Sequence, residues 1–175
     1  VTVIQGKGII KTRNKVIVQA PKQTEEIEAS NIIIATGARP RDISGLEADG
    51  DRVWNYKHAL RPVRLPKKLL IVGSGAIGVE FATFYNSLGC ETVLIELLSS
   101  ILPNEDKEVS SYAKKEFIDR GITIFENTSV TKFTPSKSGV TVALKSLEKS
   151  FKVEVDTVIM AAGIIGNTED IGISE

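Results

Sequence analysis

The sequence has a single cysteine and a single histidine, and it carries no excess of charge of either sign. Cys90 has no second thiol to pair with, so an internal disulfide and a thiolate metal cluster are both excluded. It stands just ahead of an apolar run and reads as a small buried residue opening a strand. His58 lies in Tyr56-Lys57-His58-Ala59-Leu60 with no carboxylate pattern beside it, so it is expected to pack or to face solvent, and a histidine-based catalytic pair is ruled out. Lys plus Arg and Asp plus Glu both number 22, without a basic run, which argues against nucleic acid as a partner. No stretch approaches the roughly 18 apolar residues of a membrane span, and the N-terminus does not resemble a signal peptide. No membrane partner is expected, and the expected location is cytoplasmic.

What is present is a balanced globular composition, with 42% hydrophobic and 25% charged residues. At 175 residues there is room for one domain, or for one domain and part of another. The chain opens on Val1 inside what reads as a strand and closes straight after a motif, so it is read as a piece of a longer protein. Residues 1–20 alternate as half-buried strands through Val1, Val3, Ile9-Ile10 and Val16-Ile17-Val18, with a turn at Arg13-Asn14. A polar connection over residues 21–26 leads to a further strand, Asn31-Ile32-Ile33-Ile34-Ala35. That strand ends in Thr36-Gly37-Ala38-Arg39-Pro40, whose small residues either let the backbone pass close to another group or simply turn the chain. Residues 41–66, with Gly45, Gly50, Pro62 and Pro66, have the composition of a crossing segment between two units.

The stretch with the most information follows. Leu69-Leu70-Ile71-Val72 runs into Gly73-Ser74-Gly75-Ala76-Ile77-Gly78 and then into helical periodicity. This is the strand, tight turn and helix that a dinucleotide site needs. Ile77, Phe81, Phe84 and Leu88, with Tyr85 beside them, are predicted to form the buried helix face, and Gly89 the C-terminal cap. Thr92-Val93-Leu94-Ile95-Glu96 is the next strand. A second helix is predicted to be capped by Asn104, with Glu105-Asp106 in its first turn and Val109, Tyr112, Ala113 and Phe117 as its apolar positions, ending before Gly121. Ile122-Thr123-Ile124-Phe125 is a third parallel strand. Three antiparallel strands follow near residues 130–133, 140–144 and 151–155, the first two joined around Ser136-Lys137-Ser138-Gly139, and a run over residues 157–163 returns to the parallel sheet. The predicted fold is α/β, a Rossmann-type parallel sheet with a three-stranded antiparallel β-meander, preceded by a short β segment. The expected division is residues 1–60 and 61–175.

Each glycine of the turn has its own reason. Gly73 permits the tight turn, Gly75 lets a pyrophosphate approach the backbone, and Gly78 lets helix and strand pack closely. The phosphates then meet unpaired N–H groups at the helix N-terminus. Glu96, 18 residues beyond Gly78, ends the next strand, where a carboxylate accepts both hydroxyls of the adenosine ribose and repels a 2′-phosphate. No Arg or Lys occurs over residues 97–104 to welcome such a phosphate, so NAD is favoured over NADP. Glu80 either stabilises the helix dipole or faces the reacting end of the cofactor.

Ile32-Ile33-Ile34-Ala35-Thr36-Gly37-Ala38-Arg39-Pro40, Leu65-Pro66-Lys67-Lys68, the glycine turn continuing into Val79-Glu80-Phe81, Ile95-Glu96 and Ile101-Leu102-Pro103-Asn104-Glu105-Asp106 together resemble the pyridine nucleotide–disulfide oxidoreductases. The resemblance covers essentially the whole chain, with Ala161-Ala162-Gly163 and Asn167-Thr168-Glu169 near its end, and within the family the dihydrolipoamide dehydrogenases are the most similar branch. Gly163 is followed here by Ile164-Ile165-Gly166-Asn167, where Gly-Arg-x-Pro-Asn is commoner. The resemblance implies that residues 1–60 end an FAD domain and cross over, and that residues 61–175 bind NAD. Gly8, Thr36, Gly37 and Ala38 would line FAD, and Gly73, Ser74, Gly75, Ala76, Ile77, Gly78, Val79 and Glu80 would cradle NAD. Glu96 would hold the adenosine ribose, Val130 would touch the adenine, Gly163 would lie near the nicotinamide, and Glu80 would orient the nicotinamide beside the flavin. The implied reaction moves electrons from dihydrolipoamide, free or on a lipoyl domain, through a disulfide and FAD to NAD, in a homodimer. The chain contains no Cys-x-x-x-x-Cys, no further FAD glycine motif and no His–Glu pair, so by itself it is expected to be inactive. A non-catalytic NAD(H)-sensing module and an NADH oxidase of the same superfamily are the alternatives.

Overall fold

A computed structural model describes residues 1–136 and 138–173, and Lys137, in the turn expected between the first two meander strands, lies outside them. The chain divides into two compact units, one of residues 40–164 and one of residues 1–39 with the stretch from Ile165 onward.

In the smaller unit, β1 (Lys7–Thr12), β2 (Lys15–Gln19) and β3 (Thr24–Glu28) form an antiparallel sheet in that order. The second half of the segment expected to be a polar connection is therefore strand. Its charges read as loop, but Lys15 stands opposite Glu28 and reaches both Glu28 (2.8 Å) and Glu26 (2.7 Å), while Lys11 reaches Glu26 from the first strand. Pairing across strands makes a polar sequence a good edge strand. The reverse correction applies to residues 1–5 and 31–35, which lie outside any strand. Ile33 is 90% exposed. An apolar run becomes a strand only when a neighbour completes its ladder, and no described strand pairs with this one. β4 (Ala38–Pro40) makes a two-stranded ribbon with a strand late in the chain, Ile164–Gly166.

The larger unit contains β5 (Val53–Trp54), α1 (Tyr56–Ala59), β6 (Lys68–Val72), α2 (Ala76–Ser87), β7 (Glu91–Ile95), α3 (Lys107–Asp119) and β8 (Thr123–Phe125). A meander of β9 (Ser129–Pro135), β10 (Val140–Lys145) and β11 (Ser150–Val155) follows, then β12 (Thr157–Met160); the ribbon strand Ile164–Gly166, which runs into the smaller unit, is β13. β5, β12, β6, β7 and β8, in that order, make a five-stranded parallel sheet, and the meander is a separate antiparallel sheet in the order β11-β10-β9. The α/β architecture read from the sequence is present. The crossing segment does more than cross: Val53–Trp54 adds the fifth strand, and both residues are buried. His58 packs as expected, its Nδ1 accepting the Asn55 N–H at 3.2 Å where α1 begins.

β6 shows why its sequence is a continuous apolar run. Leu69 and Ile71 enter one core with Tyr85, Ala82 and Leu94, while Leu70 and Val72 enter the other with Val142, Leu144 and Met160. A strand covered on both faces needs apolar residues at every position. The helix faces are rotated from the periodicity reading. In α2 the buried residues are Gly78, Val79, Phe81, Ala82 and Tyr85, and Phe84 and Leu88 are about half exposed. Gly78 must face the turn it packs on, and that contact sets the phase of the helix. α3 is capped by Asp106, whose Oδ1 accepts the Glu108 N–H at 2.8 Å, and starts two residues later than Asn104 would allow. Its Val109 and Tyr112 are exposed, with Ala113 and Phe117 against the core. Gly89 and Gly121 stand just beyond the two helices with φ of +87° and +89°, as expected of C-terminal caps.

Tyr85 ties α2 to the segment containing β5. Its ring packs against Trp54, Phe81 and Phe84, and its hydroxyl donates to the Ala59 carbonyl at 2.8 Å. Burial pushes the phenol up to about 12, so it remains a donor at neutral pH. Tyr85→Phe leaves that carbonyl unpaired and is expected to cost about 1–2 kcal/mol, roughly 3–6 °C in Tm at this chain length. A scanning calorimetry shift below about 1 °C would show that the bond contributes nothing.

Candidate nucleotide-binding site

From β6 the sheet grows outward through β7 and β8, whereas β12 returns from far along the chain to the opposite side of β6. The strand order reverses between β6 and β12, and in open parallel sheets ligands bind beyond the C-terminal strand ends at such a reversal. Gly73 leaves β6 there, Ala161 leaves β12 and Glu96 leaves β7.

The three glycines answer to three different neighbours. Gly73 has φ +98°, and a Cβ there would lie 2.5 Å from the Ala161 carbonyl oxygen, so the ends of β6 and β12 approach only because it is glycine. A Cβ on Gly78 would overlap the Gly73 carbonyl oxygen and lie 2.9 Å from its carbon. Gly75, the N-cap of α2, has φ −67°, and a Cβ there would meet no protein atom within 4 Å. The protein itself does not require glycine at this position. The open space lies at the start of α2, which has no side-chain cap. Val79 N–H is taken by the Gly75 carbonyl, so Ala76, Ile77 and Gly78 carry the N–H groups that open the helix. An uncapped helix start with clear space in front of a glycine fits a pyrophosphate.

Glu96 is only 7% exposed, and its carboxylate is already engaged. Oε2 accepts both the N–H (2.9 Å) and the hydroxyl (2.6 Å) of fully buried Ser74, and Oε1 accepts the Leu98 N–H at 2.9 Å. Its backbone is held as well, N–H to the Phe125 carbonyl and carbonyl to the Thr128 N–H, both at 2.8 Å. The sequence reading missed the partnership with Ser74, although a hydroxyl at the middle position of Gly-x-Gly was a visible hint. Val130, two residues past Thr128, is half-buried in β9 opposite Leu144 and packs in the meander-side core. Glu80 is the fifth residue of α2, beyond its first turn, and exposed, so it is poorly placed to serve the helix dipole. Gly163 is exposed at φ +103°, its carbonyl accepting the Arg41 N–H at 3.0 Å.

In the smaller unit Gly8 sits in β1 opposite Val18, and Thr36, Gly37 and Ala38 are exposed. Asn167 joins two motifs that the sequence keeps far apart. Its backbone N–H donates to the Gly37 carbonyl (3.0 Å) and its side-chain amide to that of Thr36 (3.2 Å). Arg39 in turn donates to Asn167 Oδ1 and to both carboxylate oxygens of Glu169. The guanidinium holds the Glu169 carboxyl below the usual range.

Elsewhere in the larger unit, a cavity of about 410 Å³ opens at the opposite, N-terminal strand ends, between Arg52, Arg64, Lys67 and Asp156. Arg64 there pairs with Asp51 at 3.0 Å. Cys90 is buried as expected, its thiol donating to the Pro66 carbonyl. Among the described residues, no group of His, Cys, Asp and Glu is arranged to hold a metal ion, and no helix is long and apolar enough to cross a membrane.

A dihydrolipoyl dehydrogenase of Zymomonas mobilis is 42% identical over 177 residues, covering 100% of this chain and 38% of that protein. Among solved structures, LpdA from Mycobacterium tuberculosis aligns with a TM-score of 0.78 at 29% identity, over 96% of this chain and 37% of its own. The HOCl-induced flavoprotein disulfide reductase RclA from Escherichia coli aligns with a TM-score of 0.73 at 27% identity, over 97% and 38%. The chain thus spans less than two fifths of the length of these relatives. The family model of the pyridine nucleotide-disulphide oxidoreductases matches residues 1–174, and to that family the chain belongs, as a nucleotide-binding portion related to dihydrolipoyl dehydrogenase.

Proposed function

We propose that this chain is the NAD(H)-binding portion of a flavoenzyme of the dihydrolipoyl dehydrogenase type, and that its first segment contributes to an FAD site. NAD, when bound, supplies the hydride acceptor. The residues here hold it in place: N–H groups at the start of α2 take the pyrophosphate, and Glu96 takes the adenosine ribose and disfavours a 2′-phosphate. Exposed Glu80 is free to face the nicotinamide end. In the smaller unit Gly8, Thr36, Gly37 and Ala38 are the proposed flavin contacts, with Asn167 and Arg39 keeping the Thr36–Gly37 turn in shape. With a single, buried cysteine, the disulfide of such an enzyme is supplied from outside this chain.

The observation that carries the reading is the empty space at Gly75. Gly73 and Gly78 are required by the protein's own backbone, but Gly75 is not, so only a ligand needs it small. Gly75→Ala is therefore expected to leave folding nearly intact, within about 1 kcal/mol for an altered N-cap, and to weaken NADH binding roughly tenfold or more. Fluorescence titration with NADH beside a thermal melt separates the two effects. Full NADH affinity in Gly75→Ala would remove the pyrophosphate from this turn.

A further inference from the structure

A carboxylate offers about four acceptor directions, and in Glu96 three are filled from within the protein. Both directions on Oε2 belong to Ser74, through backbone N–H and hydroxyl, and Leu98 N–H takes one on Oε1. An unengaged carboxylate at this strand end would accept both ribose hydroxyls. The geometry leaves one direction, on Oε1. Ser74 is fully buried and its Oγ lies 2.6 Å from Oε2, so the hydroxyl proton has a single charged acceptor, and the bond is of the charge-assisted kind. It acts across 22 residues of sequence and joins the turn expected to hold phosphate to the residue expected to hold ribose.

We infer that Ser74 is a positioning residue for cofactor selection: its hydroxyl fixes the plane of the Glu96 carboxylate so that the one remaining acceptor direction on Oε1 meets the 2′-hydroxyl of the adenosine ribose. This rests on the NAD(H)-binding reading and deepens it. Without the Ser74 hydroxyl, Oε2 is held by a single backbone N–H, the carboxylate gains rotational freedom, and the aim of Oε1 is lost. Ser74 touches no ligand in this scheme, and its effect passes wholly through Glu96.

The test compares NADH with NADH lacking the 2′-hydroxyl on the adenosine side, titrated against the wild-type chain, Ser74→Ala and Ser74→Gly. Glycine serves as a second variant that also removes the hydroxyl. The wild type is expected to prefer NADH over the deoxy analogue, and both variants to lose about fivefold or more of that preference, with deoxy-NADH affinity nearly unchanged. A merely structural Ser74 would weaken both ligands equally and leave the ratio where it was. If the wild type discriminates and the variants retain the full ratio, the positioning role falls while the nucleotide site stands. If the wild type binds NADH without discriminating, the ribose role of Glu96 and this inference fall together. No NADH binding by the wild type would remove the nucleotide reading and this one with it.

Discussion

Gly78→Ala is expected to destabilise the larger unit severely. The added methyl would overlap the Gly73 carbonyl, which is backbone, so no side chain can swing away to make room. Relief requires moving the start of α2 off the end of β6, which opens the cores that Leu69, Ile71 and Ala82 share. A cost of about 4 kcal/mol or more is a large part of the 5–15 kcal/mol typical of a whole domain. The measurement is the thermal midpoint by circular dichroism, with a fall of about 8–16 °C or loss of soluble protein expected. A cooperative transition within about 2 °C of the wild type would show that helix and strand are not held at this separation. Set beside Gly75→Ala, it divides one motif into a glycine the fold needs and a glycine the ligand needs.

Glu96→Arg is the obvious exchange for redirecting the site toward NADPH, and it is expected to fail by unfolding. It removes all three hydrogen bonds to the carboxylate, strands the buried Ser74 hydroxyl, and forces a larger cation into a position only 7% exposed. Losses of about 3–5 kcal/mol follow from disrupting a buried charged group and its donors. Leu97, the next residue, is 67% exposed, so Leu97→Arg places a cation beside the proposed ribose site without disturbing that network. It is expected to tighten NADPH binding about fivefold through one added charge pair, with NADH affinity within about twofold and Tm unchanged. Calorimetric titration of both nucleotides decides it. Unchanged NADPH affinity in Leu97→Arg would mean that the adenosine ribose does not lie beside Glu96.

How far the sequence could be read depends on where the controlling contact lies. The order of β6, glycine turn, α2 and β7 was legible because its signals are local: an apolar run, glycines at fixed spacing, and Gly89 closing the helix. Buried faces were less legible. Phe84 and Leu88 satisfy helical periodicity as well as Ala82 and Tyr85 do, and only the close contact at Gly78 chooses between the phases. Strand assignment failed in both directions for one reason. Thr24–Glu28 has the composition of a loop but finds Lys15 across the sheet, and residues 31–35 have the composition of a strand but meet no partner among the described strands.

The same division runs through the glycine turn. Composition and spacing alone established a parallel α/β domain with the turn of a dinucleotide site and a carboxylate at the end of the following strand. Those features are written in neighbouring residues, whose backbone and burial needs are local. Tertiary structure alone decided that Gly75, and neither Gly73 nor Gly78, faces open space, and that Ser74 already holds the carboxylate of Glu96. Both depend on groups brought together from separate strand ends, and a hydrogen bond between residues 22 positions apart leaves no mark on the periodicity of either segment.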